Sequence, residues 1–150
     1  MSLTWKSNFS GTEHRIFRGK IIAGLLKTST WKNEGYGELN GHLVRFKTKG
    51  FLQKKTDIQS IDGDKILGNI EFHFLKSAAT ITYNDISYEW KFEPWSRRKW
   101  FVANNGTRAD FKLSGFWQKT GEVQNEDIPA AVLLASLYTF IYFQKTSAAV

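Results

Sequence analysis

Cysteine is absent from this 150-residue chain. That excludes disulfide scaffolds, thiolate metal sites and cysteine nucleophiles. It also fits a reducing compartment. Proline is scarce, at 2 residues, which excludes a Pro-rich linker and a collagen-like rod. Acidic groups are the minority charge: 14 Asp plus Glu stand against 21 Lys plus Arg, for a formal net charge of +7. The first eight residues, Met1 to Asn8, lack the apolar core of a secretory signal. The longest uncharged apolar run is Ile128–Phe143. As a helix it would be about 24 Å long, short of a bilayer core of ~30 Å.

Motifs that carry chemistry are missing as well. His14, His42 and His73 lie far apart and show no His-Glu-x-x-His spacing. Gly35-Tyr36-Gly37 with Gly41 misses the dinucleotide fingerprint by one residue, and no helical pattern follows it. Asp62, Asp64 and Glu71 do not make an EF-hand loop, because Leu67 stands where that loop needs glycine. There is no nucleophile elbow and no phosphate-binding loop. A non-enzymatic protein with no metal, no cofactor and no catalytic residue is expected.

What the chain does have is aromatic residues, at 15%, within a hydrophobic content of 41%. Aromatics favour strands, and the pattern before residue 120 agrees. Ile86, Tyr88, Trp90 and Phe92 alternate with Ser87, Glu89, Lys91 and Glu93, the period of a strand with one wet face. Ala79, Ile81 and Tyr83 alternate just before them, and Asn84-Asp85 separates the two runs, so residues 78–92 read as a hairpin. Ile70, Phe72 and Phe74 form another stripe, with His73 expected on the solvent side. Asp62-Gly63 and Asn105-Gly106 suit tight hairpin turns. Residues 14–18 and 20–26 are strand candidates joined at Gly19. Val44, Phe46 and Thr48 share one face of a strand, opposite Leu43, Arg45, Lys47 and Lys49. About ten to twelve short strands are expected, with turn signals every ~8–12 residues, the spacing of a sandwich or a closed barrel. No linker divides the chain, so residues 1–150 read as one domain.

The C-terminal run differs. Asn125-Glu126-Asp127 supplies polar residues for a helix start, with Asp127 as the cap and Pro129 near the first turn. Good helix formers follow, and their apolar residues are not confined to one stripe. A helix apolar all round is wrapped by protein or immersed in lipid. A mainly β chain with one such helix has a simple solution: a closed antiparallel barrel around the helix, here expected over about residues 127–143.

That layout resembles the tubby C-terminal-like superfamily, which includes tubby domains, phospholipid scramblases and LURP-one-related plant proteins. The local likeness lies in Asp127-Ile128-Pro129, Ala131-Val132-Leu133-Leu134 and Leu137-Tyr138-Thr139-Phe140-Ile141-Tyr142-Phe143. This segment is similar to the terminal helix of scramblases, with its acidic, Pro-containing lead-in and aromatic end. The turn at Ile61-Asp62-Gly63-Asp64 is similar to Asp-Gly turns in these families. The resemblance implies a barrel with a buried helix and binding to anionic phospholipid or phosphoinositide. No tubby phosphoinositide-binding residue is matched one by one, so none is carried over.

Two surfaces are candidates for such binding. Arg45, Lys47 and Lys49 project from one strand face within about 13 Å, and Lys54 and Lys55 extend the stripe into the next loop. Five bases and no acid fall between His42 and Lys55. Cations in this pattern attract phosphates. The second surface is Pro94-Trp95-Ser96-Arg97-Arg98-Lys99-Trp100. There Trp95 is a membrane-interface candidate, with Arg97 and Arg98 as anion ligands. Alternatively an arginine stacks on tryptophan and orders the loop. The leading expectation is a monomeric, cytoplasmic domain, peripherally associated with anionic membrane lipid or with a protein partner. The alternatives are a tail-anchored protein with Ile128–Phe143 in the bilayer and a carrier of a small hydrophobic ligand. No nucleic-acid module is matched, and no nucleic-acid partner is expected.

Overall fold

The structure, a computed structural model, describes residues 2–29, 32–49, 55–117 and 119–148. Twelve strands come first: β1 (Ser2–Ser7), β2 (Glu13–Arg18), β3 (Ile21–Thr28), β4 (Glu34–Leu39), β5 (His42–Lys49), β6 (Lys55–Gln59), β7 (Ile66–His73), β8 (Ala78–Tyr83), β9 (Ile86–Phe92), β10 (Lys99–Asn104), β11 (Thr107–Ser114) and β12 (Thr120–Glu126). A 3-10 turn at Phe74–Lys76 follows β7, and one helix, α1 (Ala130–Ala148), ends the chain. Each strand pairs antiparallel with its sequence neighbour, and β1 pairs with β12 to close the barrel. Closure removes both sheet edges.

Alternation in the sequence becomes inside and outside. On β9, Tyr88 and Trp90 are buried while Ser87, Glu89 and Lys91 face solvent. On β5, Val44 and Phe46 point in while Lys47 and Lys49 point out. The tight turns fall where the polar dipeptides predict them. Asn84 and Asp85 link β8 to β9 with φ of 50° and 63°, the left-handed pair that matches the twist of a hairpin. Gly63 and Gly106 sit in their turns at φ of 81° and 85°, where a Cβ would be strained.

The helix fills the lumen. A barrel of about eight strands is filled by its own side chains. Twelve strands enclose more room, and a helix ~10–12 Å across with its side chains occupies it. From Ala131 to Phe140 every residue of α1 is buried. Trp90, Trp100, Phe46 and Phe72 of the wall stack on Phe143, Phe140, Tyr138 and Tyr142 of the helix. The Thr139 and Tyr138 hydroxyls find partners, whereas the Ser136 hydroxyl is buried without one among the described residues. Thr139 Oγ1 donates to the Ala135 carbonyl at 2.8 Å. The Ser136 carbonyl accepts from Trp90 Nε1 at 3.1 Å. Tyr138 meets Thr48 Oγ1 at 3.0 Å and donates to the Asn33 carbonyl at 3.1 Å. Burial pushes its phenol up to about 12.

Four expectations need adjustment. The helix runs Ala130–Ala148 rather than 127–143. Asp127 does not cap it. It lies in the left-handed region at φ 63°, and the Pro129 carbonyl opens the helix by accepting from Val132 and Leu133. Asn125 braces this corner instead, accepting from the Ile128 amide at 2.9 Å. Phe74 leaves the β7 stripe for the 3-10 turn, though it still stacks on Phe72. His73 is half-buried and bonds Thr80 through Nε2 at 3.0 Å.

The topology also defines two ends. Strand direction alternates, so the connections β1–β2, β3–β4, β5–β6, β7–β8, β9–β10 and β11–β12 share one rim, the upper one. The other connections share the lower rim. The helix enters from the lower rim and finishes at the upper, where Lys145 Nζ donates to the Ser29 carbonyl between β3 and β4. Enclosed in this way, α1 is not a free tail for a bilayer. No helix among the described residues is long and apolar enough to cross a membrane.

Candidate functional site

The β5 stripe lies on the outer wall, and its cations have acidic neighbours. Lys47 pairs in register with Glu34 on one side and Asp57 on the other. Lys49 Nζ reaches Asp57 Oδ2 at 3.0 Å. Lys55 opposes Lys49 across β5–β6 and Glu71 across β6–β7. Arg45 opposes Tyr36 and Gln59. Its guanidinium leans over the β6–β7 turn, with Nη1 3.3 Å from the place a Cβ would take at Gly63. Lys54 lies outside the described residues. A directly opposed pair has its Cβ atoms ~5 Å apart, so three carboxylates interleave with the four described cations. An exposed pair of this kind stabilises by only a few tenths of a kcal/mol, but it cancels charge seen from outside.

The β9–β10 loop, residues 93–98, is built differently. Trp95 is fully exposed, on a backbone at φ 63°. A left-handed conformation is uncommon for a bulky residue. Here Glu93 accepts from the Ser96 amide, and Ser96 Oγ accepts from the Arg98 amide. The arginine stacking foreseen for this loop occurs on another ring: Arg97 lies over Phe92, 4.8 Å from its centroid. Arg98 reaches across to β11–β12 and donates to the Gly115 carbonyl at 2.6 Å. The carboxylate of Glu93 is held by Arg108 on the neighbouring wall at 2.7 Å. Trp95, Arg97 and Arg98 are therefore brought together, while the β5 stripe belongs to another part of the wall.

Four exposed apolar residues were not singled out from the sequence. Phe9 lies in β1–β2, Leu75 in β7–β8, and Phe116 and Trp117 in β11–β12. Phe116 and Trp117 meet edge to face, 5.2 Å between centroids. Lys119 Nζ donates to the Phe9 carbonyl at 2.9 Å and ties β11–β12 to β1–β2. The signal was present: each residue falls in a short connection, beyond the strand whose alternation would have given it a partner.

The described residues bring together no group of three or more potential metal ligands. Among the described residues, His14 is the one strongly perturbed base. It is buried, its Nδ1 lies 2.6 Å from Ser7 Oγ, and burial lowers it to about 4. The charge of Lys119 acts in the same direction, and the Gly11 carbonyl opposes both.

The chain is thus a closed twelve-stranded antiparallel barrel enclosing one C-terminal helix, the generic tubby-like architecture. In comparisons with known proteins, no family model, no curated protein and no solved structure matches it significantly.

Proposed function

We propose that this chain is a non-enzymatic tubby C-terminal-like domain that binds anionic phospholipid or phosphoinositide at a membrane surface. The observation that carries the reading is the filled lumen. The helix occupies the space in which a carrier would hold its ligand, so recognition falls to the outside of the barrel. With a net charge of +7, that outside favours anionic partners. Each Lys or Arg held near an anionic leaflet contributes ~1 kcal/mol. A handful of cations therefore holds the domain reversibly, without a membrane-spanning segment.

The test is flotation of the detergent-free, full-length protein with vesicles of neutral or anionic lipid, at low and high salt. Flotation on anionic vesicles alone, reduced by salt, is the expected result. A protein that stays at the bottom of the gradient under all four conditions overturns the reading.

A further inference from the structure

The two rims of the barrel differ in chemistry. The described parts of the upper-rim connections carry Lys32, Lys76, Arg97, Arg98 and Lys119, with Glu93 as their one acid. The lower-rim connections carry Asp62, Asp64, Asp85 and Asp127 against Lys20 and Lys65. Among the described residues, none of those five upper-rim cations forms an ion pair. Two of them, Arg98 and Lys119, bond backbone carbonyls, which orders a loop without cancelling its charge. Glu93, by contrast, is taken up by Arg108.

Apolar exposure follows the same division. Phe9, Leu75, Trp95, Phe116 and Trp117 all stand on the upper rim, each at least 78% exposed. They occupy four connections that are consecutive around the barrel: β7–β8, β9–β10, β11–β12 and β1–β2. The exposed large apolar residues near the lower rim are aliphatic: Ile21, Ile22, Leu43, Ile61, Ile66 and Ile86, the last three beside the aspartates. Aromatic rings settle at the headgroup level of a bilayer, and cations beside them meet lipid phosphates. Isoleucine among carboxylates does neither.

We propose that the protein docks end-on, with the upper rim as the face that meets an anionic bilayer. Phe9, Leu75, Trp95, Phe116 and Trp117 enter the headgroup layer, and the cations of the same loops face its phosphates. The proposal rests on the membrane reading above and places the contact at the rim rather than along the β5 stripe, of whose described cations only Lys49 and Lys55 border that rim. On that wall Lys47 and Lys49 stand among carboxylates, whereas the rim cations keep their charge. The Arg98 and Lys119 bonds link three of the four loops, so the aromatic tips are presented as one surface.

The test compares variants of the full-length protein on phosphatidylcholine vesicles with and without about a third phosphatidylserine, by flotation and by quenching with brominated lipid. The first variant is Trp95→Ala with Trp117→Ala, the second Lys76→Glu with Arg97→Glu, and the third Arg45→Glu with Lys47→Glu. Arg45 is half-buried and the other substituted side chains are exposed, and a retained cooperative thermal transition verifies folding. The first two variants are expected to partition about tenfold more weakly, and the third within about twofold of the parent. Brominated lipid is expected to quench the parent but not Trp95→Ala with Trp117→Ala. Normal binding by both rim variants, with loss on reversing Arg45 and Lys47, overturns end-on docking and leaves the membrane reading standing. No binding by the parent removes both. Self-association of the parent that the rim variants abolish, without any vesicle binding, makes the rim a protein contact and also overturns the proposal.

Discussion

Trp100 of β10 lies flat on Phe140 of α1, with centroids 3.8 Å apart and planes within 8° of parallel. Trp100 also stacks on Phe111 of the next strand, at 5.4 Å. The helix is therefore keyed to the wall through a column of rings. Phe140→Ala removes the centre of that column and leaves a cavity that the surrounding strands cannot close. Such truncations cost ~3–5 kcal/mol. Urea unfolding is expected to show a loss of that size, and a loss below about 1 kcal/mol contradicts the keyed packing.

The helix is a structural part of the barrel. The inward residues of the strands, including Leu26, Leu39, Phe46, Ile70 and Ile81, are buried in the same cluster as α1. Deleting residues 130–150 opens that surface to water, and the strands have too few contacts across the lumen to replace it. The truncated chain is expected to lose its near-UV CD signal and its cooperative thermal transition. A folded, soluble truncation contradicts this account.

Gly121 leaves room for the Trp5 ring at the strand pair that closes the barrel. It faces Trp5 across the β1–β12 ladder, and a Cβ there would lie 2.1 Å from the indole. Gly121→Ala forces the ring out of its place beside Trp100. Overpacking of this kind costs ~1–3 kcal/mol. A fall in thermal midpoint is expected, with relief when Trp5→Phe is added; the alanine variant alone melting at the parent temperature counts against it.

His14 makes stability depend on pH. Its folded-state value, about 4, lies below the ordinary 6.5, so the unfolded chain binds the extra proton between those values. Stability is full above the upper value and falls as pH drops toward the lower, by about 3 kcal/mol in total. His14→Gln is expected to flatten the decline in unfolding free energy between pH 6.5 and about 4. Parallel pH curves for parent and variant contradict the assignment.

The strands and their inner faces were legible in the sequence because alternation reports burial directly; closure into a barrel was legible only through the apolar helix that needed enclosing. Trp90 against Glu89 and Phe46 against Lys47 give the inner and outer faces, and Asn84-Asp85 gives a turn. The helix was legible because its apolar residues have no polar side to turn to water. Its start was misread at Asp127, because capping propensity says nothing about the corner that Asn125 braces. The candidate sites were harder. A run of cations such as Arg45, Lys47 and Lys49 looks basic along one strand, but Glu34 and Asp57 come beside it only through pairing with β4 and β6. Trp95 was found by its neighbours in sequence. Phe9 and Trp117 join it only because alternating strands bring their loops to one rim.

The most direct test of the account is the partition of full-length protein onto vesicles of increasing anionic lipid content at constant lipid concentration. Binding is predicted to rise steeply with anionic fraction and to fall as salt screens the charges. Equal partition onto neutral and anionic vesicles, or none onto either, would contradict it.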